Sequence, residues 1–236
     1  MRAGAVSGKR IYDETDFIHG RYLRLKESAD YGIEGFSIIQ RSFEIKNFQE
    51  DSAMAKLNIP RSNEQEKAVF AKFSITLREA ITEEEFEAVI NDYLNKHNVL
   101  HLATCRDNEP RSTPLEYFNH GLTVYVLSEG GGKFANLKAN QKVSFSICDP
   151  YEPFEDYLGA TGLQVWGIAS TFKKNDDLQR FQAIYQYSRN AEALKKHGIE
   201  QMAAMVNFNI ITIEPVKMRY LDLRQGFRNV TWTHEG

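Results

Sequence analysis

Between Asn98 and Pro150 the chain alternates short apolar runs with turn signals. The apolar runs read VLHLATC, STPLEYF, LTVYVLS and KVSFSIC, and the segments between them contain DNEPR, NHG and EGGGK. Apolar runs of this length, separated by Gly, Asn, Asp and Pro, are typical of antiparallel strands joined by short connections. The segment therefore predicts an antiparallel sheet in which a short helix follows the glycines.

The glycine run EGGG ends at Lys133. Glycines leave backbone N–H groups free to approach a ligand, and the first turn of the following helix carries the positive end of the helix dipole. Lys133 adds a full positive charge at the same place. The run therefore predicts an anion site, and phosphate is the group that fits it. A flexible hairpin loop with a solvated lysine is the structural alternative.

The rest of the chain predicts further strands, with helices at the ends of the sheet. Thr82 and Glu85 have the spacing of a capping box at the start of an amphipathic helix. LQVWGIASTF predicts a strand, residues 176–187 and AEALKKHG predict helices, and MVNFNIITIEPVKMRYLDL predicts two strands broken at Pro215. This pattern favours a small closed barrel, which we assign to residues 76–236.

Residues 1–75 predict an N-terminal extension that packs on the barrel or on a partner subunit. In this extension FSIIQRSFEIKNF (residues 36–48) is strand-like, DSAMAKLNIP predicts a short helix that ends near Pro60, and RSNEQEK predicts a solvated connector. A separate small binding module is the alternative interpretation of this region.

Composition argues against several classes of partner. A formal net charge of −3 and a pI of about 6.1 favour neither nucleic acid nor an anionic membrane. No apolar run is long enough to cross a bilayer, and the first residues lack the apolar core of a signal peptide. Cys105 and Cys148 lie in strand-like runs, which predicts buried free thiols in a reducing compartment. We therefore expect a cytoplasmic protein.

The polar residues predict neither a metal site nor a catalytic triad. HExxH and CxxC spacings do not occur in the sequence. His97 and His101 are four residues apart, but the helix is expected to end near Asn98, so the two rings should not share a helix face. We assign no general acid or base from the sequence.

The ordered set of motifs from Ile81 to Leu223 resembles the pyridoxamine 5′-phosphate oxidase-like family of FMN-binding split barrels. The motifs that carry the resemblance are the helix before VLHLATC, EPRSTPLEYF, GLTVYVLSEGGGKFANLKANQKVSFSI, LQVWGIAST and EPVKMRYLDLRQGF. The resemblance implies a mainly β fold with peripheral helices, a six-stranded antiparallel split β-barrel. It also implies FMN at the interface of a homodimer, and an oxidoreductase that exchanges electrons or hydride with a small-molecule substrate or electron donor.

The resemblance also implies which residues bind FMN. Arg111 and Lys133 match the phosphate-binding positions, and Gln164 and Trp166 lie on the strand that in the family comes from the other subunit. The aromatic residues of the loop 151–161 are expected to stack on a flat substrate. The other positions carried over as FMN contacts are Ser112, Thr113, Tyr125, Val126, Leu127, Ser128, Gly132 and Asn136.

Two departures distinguish the chain from pyridoxamine phosphate oxidase itself. The oxidases carry two adjacent cationic residues at the phosphate turn, where this chain has Gly132 and Lys133. Their arginine-and-histidine motif near the C-terminus has no counterpart in RYLDLRQGFRNVTW. We therefore expect a flavoprotein with a different substrate.

Two further functions stay open at this point. One is a non-catalytic FMN or heme protein that acts as a sensor or carrier, with His19 and His234 as the candidate heme ligands. The other is a reductase that uses the deazaflavin F420, although a pI of about 6.1 provides no excess of basic residues for its polyanionic tail.

Overall fold

The structure, a computed structural model, describes residues 17–18, 21–22 and 55–234. Contacts divide the chain into two units, Met1–Ser52 and Ala53–Gly236. In the first unit, β1 (Phe17–Ile18) pairs antiparallel with β2 (Arg21–Tyr22). The strand expected over residues 36–48 and the candidate heme ligand His19 lie outside the described residues.

The second unit is a sheet with helices at its ends. Its strands are β3 (Lys56–Asn58), β4 (Val99–Arg106), β5 (Glu109–Glu116), β6 (Phe118–His120), β7 (Thr123–Ser128), β8 (Lys142–Cys148), β9 (Thr161–Lys173), β10 (Asn209–Asp222) and β11 (Phe227–Thr233). Its helices are α1 (Glu64–Lys72), α2 (Glu83–Lys96), α3 (Gly132–Ala139), α4 (Leu178–Tyr185), α5 (Arg189–Lys196) and α6 (Gln201–Met205), with a 3₁₀ turn at Leu223–Gln225.

All strand pairs in this sheet are antiparallel, and the order is β3-β11-β10-β9-β8-β4-β5. On its side away from β9, β10 has two neighbours in succession. Residues 209–213 pair with β7, which in turn pairs with β6, and residues 217–222 pair with β11. Among the described strands the ladder does not close into a ring.

The mainly antiparallel β fold with peripheral helices is confirmed, and it is consistent with a split barrel. The sheet has nine strands in the described residues rather than six. Strands β4, β5 and β7–β10 account for the expected six. The other three are β3 from the N-terminal side, the short hairpin partner β6 and the closing strand β11.

The expected strand break at Pro215 is wrong, because β10 runs through this residue without interruption. The register against β9 shifts between Pro215 and Lys217. A bulge of this kind lets a strand accommodate a residue that has no N–H to donate.

The segment before α2 also differs from its prediction. The described part of the expected short helix contains strand β3, whose Leu57 pairs with Trp232 of β11. The expected connector RSNEQEK contains the start of α1, where Asn63 and Glu66 form a capping box. The Asn-x-x-Glu spacing was the sequence signal for this helix.

The core lies between the inner face of the sheet and α2. The predicted capping box is confirmed, since Glu85 N donates to Thr82 Oγ1 at 3.2 Å and Thr82 N donates to Glu85 Oε2 at 3.0 Å. The buried stripe of α2 packs on β11 and β10, since Phe86 contacts Phe227 at a centroid distance of 6.2 Å and Tyr93 contacts Tyr220 at 5.2 Å. The same buried cluster includes the inner residues of β4, β8 and β9, namely Leu100, Leu102, Phe145 and Val165.

Both cysteines are free, but only Cys105 is half-buried. Cys148 is exposed because it is the last residue of β8 and its position alternates with the buried Ile147. In the described part of the chain, each helix is too short or too polar to span a membrane.

Candidate functional site

The glycine run forms a corner between the end of β7 and the start of α3. Gly130 and Gly131 have φ values of 151° and 110°, a region that residues with a Cβ rarely adopt. Gly131 is the N-cap of α3, and no side chain accepts a hydrogen bond from the first turn of this helix. The corner therefore presents uncapped N–H groups at the positive end of the helix dipole. We call residues 128–133 together with Arg111 the anion corner.

Lys133 lies inside the anion corner with only 7% of its surface exposed. Its Nζ donates a hydrogen bond to Gly130 O at 2.7 Å. Burial of the ammonium group, and to a smaller extent the nearby Arg111 guanidinium, lowers the pKa of Lys133 below its usual value. The hydrogen bond to Gly130 O thus holds the ammonium group in place, although burial removes part of the water that would hydrate it.

Arg111 reaches the same place from β5. Its Nε donates to Thr113 Oγ1 at 3.4 Å, and its Nη1 lies 2.9 Å from the position that a Cβ on Gly132 would occupy. A glycine at position 132 therefore leaves room for the guanidinium group. In the described part of the chain, neither Arg111 nor Lys133 forms an ion pair with a carboxylate. Two cations adjoin one another here without an internal counter-charge.

Asn136 connects α3 to the sheet beside the corner. Its Nδ2 donates to Thr104 Oγ1 at 3.0 Å, and Thr104 is 3% exposed. Asn136 also lines an open groove of about 780 Å³ together with Arg111 and Gly132, and the groove continues along the β4–β5 hairpin to Arg106. A ligand held at the corner would thus have space beside it.

The residues of β7 alternate between the core and the opposite face. Val126 is fully buried in the core and paired with Ile211 of β10, so that neither its side chain nor its backbone is exposed to a ligand within one chain. Tyr125 points the other way and stacks on Phe118 at a centroid distance of 5.4 Å, and burial raises the pKa of its hydroxyl. Leu127 is half-buried on the same face as Tyr125.

Strand register places Gln164 and Trp166 on the outer face of the sheet. Trp166 pairs with Ser144, which pairs with Ala103, which pairs with Ser112, and this row alternates with the buried residues. Arg111 pairs instead with Thr104, whose side chain contacts α3. The side chains of Gln164 and Trp166 therefore lie on the opposite face from Arg111 within one chain.

The aromatic loop between β8 and β9 is also remote from the corner in one chain. Strands β4 and β8 are antiparallel, with Leu102 opposite Phe145, so the end of β8 lies beside the start of β4. The anion corner lies at the other end of β4. Three side chains of this loop are exposed, Tyr151 at 50%, Phe154 at 98% and Tyr157 at 75%.

Within one chain, then, the structure brings together Arg111, Thr113, Ser128, Gly132, Lys133 and Asn136. Ser112 lines the groove, but its side chain lies on the outer face of the sheet, in the same cross-strand row as Trp166. Asn209 also contacts the corner, although no sequence motif predicted it: its Nδ2 donates to Glu129 O at 3.2 Å and Ser128 O at 3.4 Å. No local motif marks this residue, because its partners are 80 and 81 positions away along the chain.

The described residues contain no group of three or more His, Cys, Asp or Glu side chains that could hold a metal ion. The ring of His97 is occupied on both nitrogens, by Tyr93 O at 2.8 Å and Asp149 Oδ1 at 2.5 Å. His234 stacks on Trp232 at a centroid distance of 5.8 Å.

Several solved structures are similar to the chain. General stress protein 26 from Bacillus anthracis is 16% identical, with 58% of this chain and 93% of that one covered and a TM-score of 0.40. An FAD-binding protein from Mesorhizobium loti is 18% identical, with coverages of 63% and 94% and a TM-score of 0.43. The heme storage protein HutZ from Vibrio cholerae is 20% identical, with coverages of 55% and 89% and a TM-score of 0.41. At such identities and TM-scores these likenesses assign no ligand to the chain.

No curated protein sequence matches the chain. The family described as pyridoxamine 5′-phosphate oxidase matches residues 86–222, which are more than half of the 236 residues. This range begins in α2, contains the anion corner and ends with β10. The protein therefore belongs to the pyridoxamine 5′-phosphate oxidase family.

Proposed function

We propose that the protein is a flavoprotein that binds FMN with its phosphate in the anion corner and acts as an oxidoreductase on a small molecule. One observation carries this proposal. Lys133 and Arg111 adjoin one another at an uncapped helix N-terminus, with the lysine 7% exposed and with no carboxylate partner for either residue in the described chain.

The residues at the corner fit a dianion. Two adjacent cations repel one another, and burial removes part of the hydration that would stabilise the lysine. A bound phosphate reverses both effects, because it attracts both cations and accepts charge-assisted hydrogen bonds from them. The uncapped N–H groups at the start of α3 add donors that are suited to the same oxygens.

Each residue of the corner has a separate task in this proposal. Lys133 and Arg111 neutralise the phosphate, Gly132 leaves room for the guanidinium group, and Asn136 fixes α3 against β4. When FMN is bound, it supplies the electron or hydride transfer. The groove along the β4–β5 hairpin, which Arg111, Gly132 and Asn136 line, would be open to the rest of the ligand.

We further propose that the protein is a homodimer with FMN between the subunits. Gln164 and Trp166 lie on the opposite face of the sheet from Arg111, so these residues of one chain cannot complete the site that Arg111 of the same chain begins. The outer face also exposes three large apolar side chains, Trp166 at 36%, Ile168 at 39% and Val99 at 42%. Apolar side chains on an exposed sheet face favour an interface with a second copy.

The free thiols of Cys105 and Cys148 favour a reducing compartment, and we propose that the protein is cytoplasmic. Cell fractionation with an antibody against the native protein tests this proposal. Recovery in the periplasmic or secreted fraction would contradict it.

The absorbance spectrum of freshly purified protein tests the flavin proposal directly. We expect flavin bands, or their appearance and a retained yellow colour after incubation with FMN and gel filtration. Colourless protein that takes up no FMN would refute the proposal, and a Soret band would identify heme instead. Competition between FMN and F420 distinguishes the two flavin-type ligands. Reduction of the bound flavin by NAD(P)H, followed by reoxidation by an acceptor, distinguishes an enzyme from a carrier.

A further inference from the structure

The three glycines of the anion corner have no side chains that could support their own backbone. Gly130 and Gly131 both have positive φ values, and the N-cap residue has no side chain that could hold the first turn of α3. Glycine has more backbone freedom than any other residue, so a run of three glycines is free to adopt many shapes. A corner that binds an anion tightly must nevertheless present its N–H groups in one arrangement. Contacts from outside the run must therefore hold it.

Ser128 supplies the first of these contacts. Its Oγ accepts a hydrogen bond from Gly130 N at 3.3 Å and donates one to Gly130 O at 3.2 Å. Gly130 O also accepts the hydrogen bond from Lys133 Nζ. The side chain of Ser128 thus fixes the peptide groups of the same glycine that holds the buried ammonium group.

Asn209 supplies the second contact, from a different part of the chain. It is the first residue of β10 and is paired in register with Ser128, the last residue of β7. The two hydrogens on its Nδ2 are directed to two successive carbonyl oxygens, those of Ser128 and Glu129. In a trans peptide the C=O and the following N–H point in opposite directions, so fixing these carbonyls also fixes the N–H groups of Glu129 and Gly130.

A short side chain with a primary amide suits this position. An alanine provides no donor, an aspartate provides only acceptors, and a serine provides a single donor for two carbonyls. The strand register holds the Cα of Asn209 opposite Ser128, which determines where its short side chain can reach. Asn209 is half-buried and outside the set of residues that would contact a phosphate.

We infer that Asn209 is a positioning residue of the anion corner, which holds the backbone of residues 128–130 in the arrangement that binds phosphate. This inference rests on the proposed function and adds a residue to it.

Two asparagines two residues apart allow a matched test. Asn207 precedes Asn209 by two residues, but its side chain has a different partner. Its Oδ1 accepts a hydrogen bond from Asn175 N at 3.0 Å. Asn209→Ala should weaken FMN binding about three- to tenfold, the range for the loss of one or two neutral hydrogen bonds. Asn207→Ala should leave FMN affinity unchanged. Asn209→Gln, which keeps the amide, should recover part of the loss.

The readouts are quenching of flavin fluorescence by the full-length protein and amide hydrogen exchange of residues 129–134 without ligand. Exchange in this segment should accelerate in Asn209→Ala and not in Asn207→Ala, at equal melting temperatures. Equal FMN affinity of Asn209→Ala and wild type would overturn the inference, and so would unchanged exchange. If wild-type protein bound no FMN at all, the proposed function itself would fail, and the inference with it.

Discussion

At the scale of single residues, the ammonium group of Lys133 sits at a position that is unfavourable in the free protein. Burial removes hydration from it, and Arg111 adds repulsion, and both effects lower its pKa. The ammonium group donates its hydrogen bond to Gly130 O, and this neutral acceptor leaves the positive charge uncompensated. A lysine in this environment gains more from an anion than a solvated lysine does, because less water must be displaced when the anion binds.

Lys133→Ala should weaken FMN binding by about 1.5–3 kcal/mol, or roughly ten- to a hundredfold, because a charge-assisted contact is lost. Lys138 is the matched control, since it lies on the same helix but is exposed in its last turn. Lys138→Ala should bind FMN as wild type does. Isothermal titration calorimetry of the three proteins measures the difference. Equal affinities of Lys133→Ala and wild type would remove Lys133 from the site.

The lowered pKa of Lys133 also predicts a pH dependence of stability without ligand. Above the folded-state pKa of Lys133 and below 10.5, the unfolded chain holds a proton that the folded chain has released. The free energy of unfolding should therefore rise with pH across this window. Lys133→Met should lack this rise. The buried tyrosines also change the free energy of unfolding with pH, but they do so equally in both proteins. Urea unfolding at a series of pH values measures it, and parallel curves for the two proteins would contradict the assignment.

At the scale of elements, the pairing of β9 with β10 depends on one glycine. A Cβ at Gly167 would lie 2.5 Å from Glu214 O and 2.9 Å from Ile213 Cγ2. The backbone oxygen belongs to the neighbouring strand, and this close approach occurs directly before the register shift at Pro215. The absence of a side chain at Gly167 of β9 thus allows the backbone of β10 to approach closely beside its bulge.

Gly167→Ala should reduce the free energy of unfolding by about 1–3 kcal/mol, because the backbone of β10 must move to admit a methyl group. Gly162 on the same strand is the control, since a Cβ there would meet Ile147 O at 3.4 Å, an ordinary contact. Gly162→Ala should change stability by less than about 0.5 kcal/mol. Chemical denaturation of both variants measures the free energies of unfolding. Equal stabilities would contradict the prediction, because they would show that the backbone of β10 moves at little cost.

At the scale of the whole molecule, the proposed homodimer would account for the exposed apolar side chains on the outer face of the sheet. A second copy would cover Trp166 and Ile168 and would bring the outer face of one chain to the corner of the other. The aromatic loop between β8 and β9, which is remote from the corner within one chain, could then serve the site of a second copy.

Trp166→Glu should convert the proposed dimer to a monomer and weaken FMN binding at the same time, because a charge would be placed in the proposed apolar interface and the site would lose the residues of the second copy. Val69→Glu is the control, since this apolar residue is 51% exposed on α1, outside the sheet and the anion corner, and the change should leave mass and FMN binding as in wild type. Light scattering coupled to gel filtration gives the mass, and flavin absorbance of the eluted peak gives the occupancy. A wild-type monomer that retains FMN would contradict the interface placement.

Most of the elements from α2 to β10 were predicted in their order because alternation, turn residues and the Thr82 capping box are local signals, but the short elements β6 and α6 were not predicted. The sequence also predicted that Lys133 and Arg111 would meet, but only through the family resemblance, since no spacing rule brings β5 to the start of α3. The bulge at Pro215 and the role of Asn209 were not predictable, because each depends on the register between strands that are far apart in the chain.

Strand β10 pairs with both β7 and β11 along the same edge, and this arrangement determines the order in which the strands would separate under force. Traction on the chain beyond Thr233 would peel β11 away first and β10 next. Asn209 is the last residue of β10 to separate, so a protease that unfolds its substrate from this side would remove β11 and most of β10 before it reached the anion corner. If the proposed FMN is bound there, its absorbance should persist after the pairing of β10 with β11 is lost.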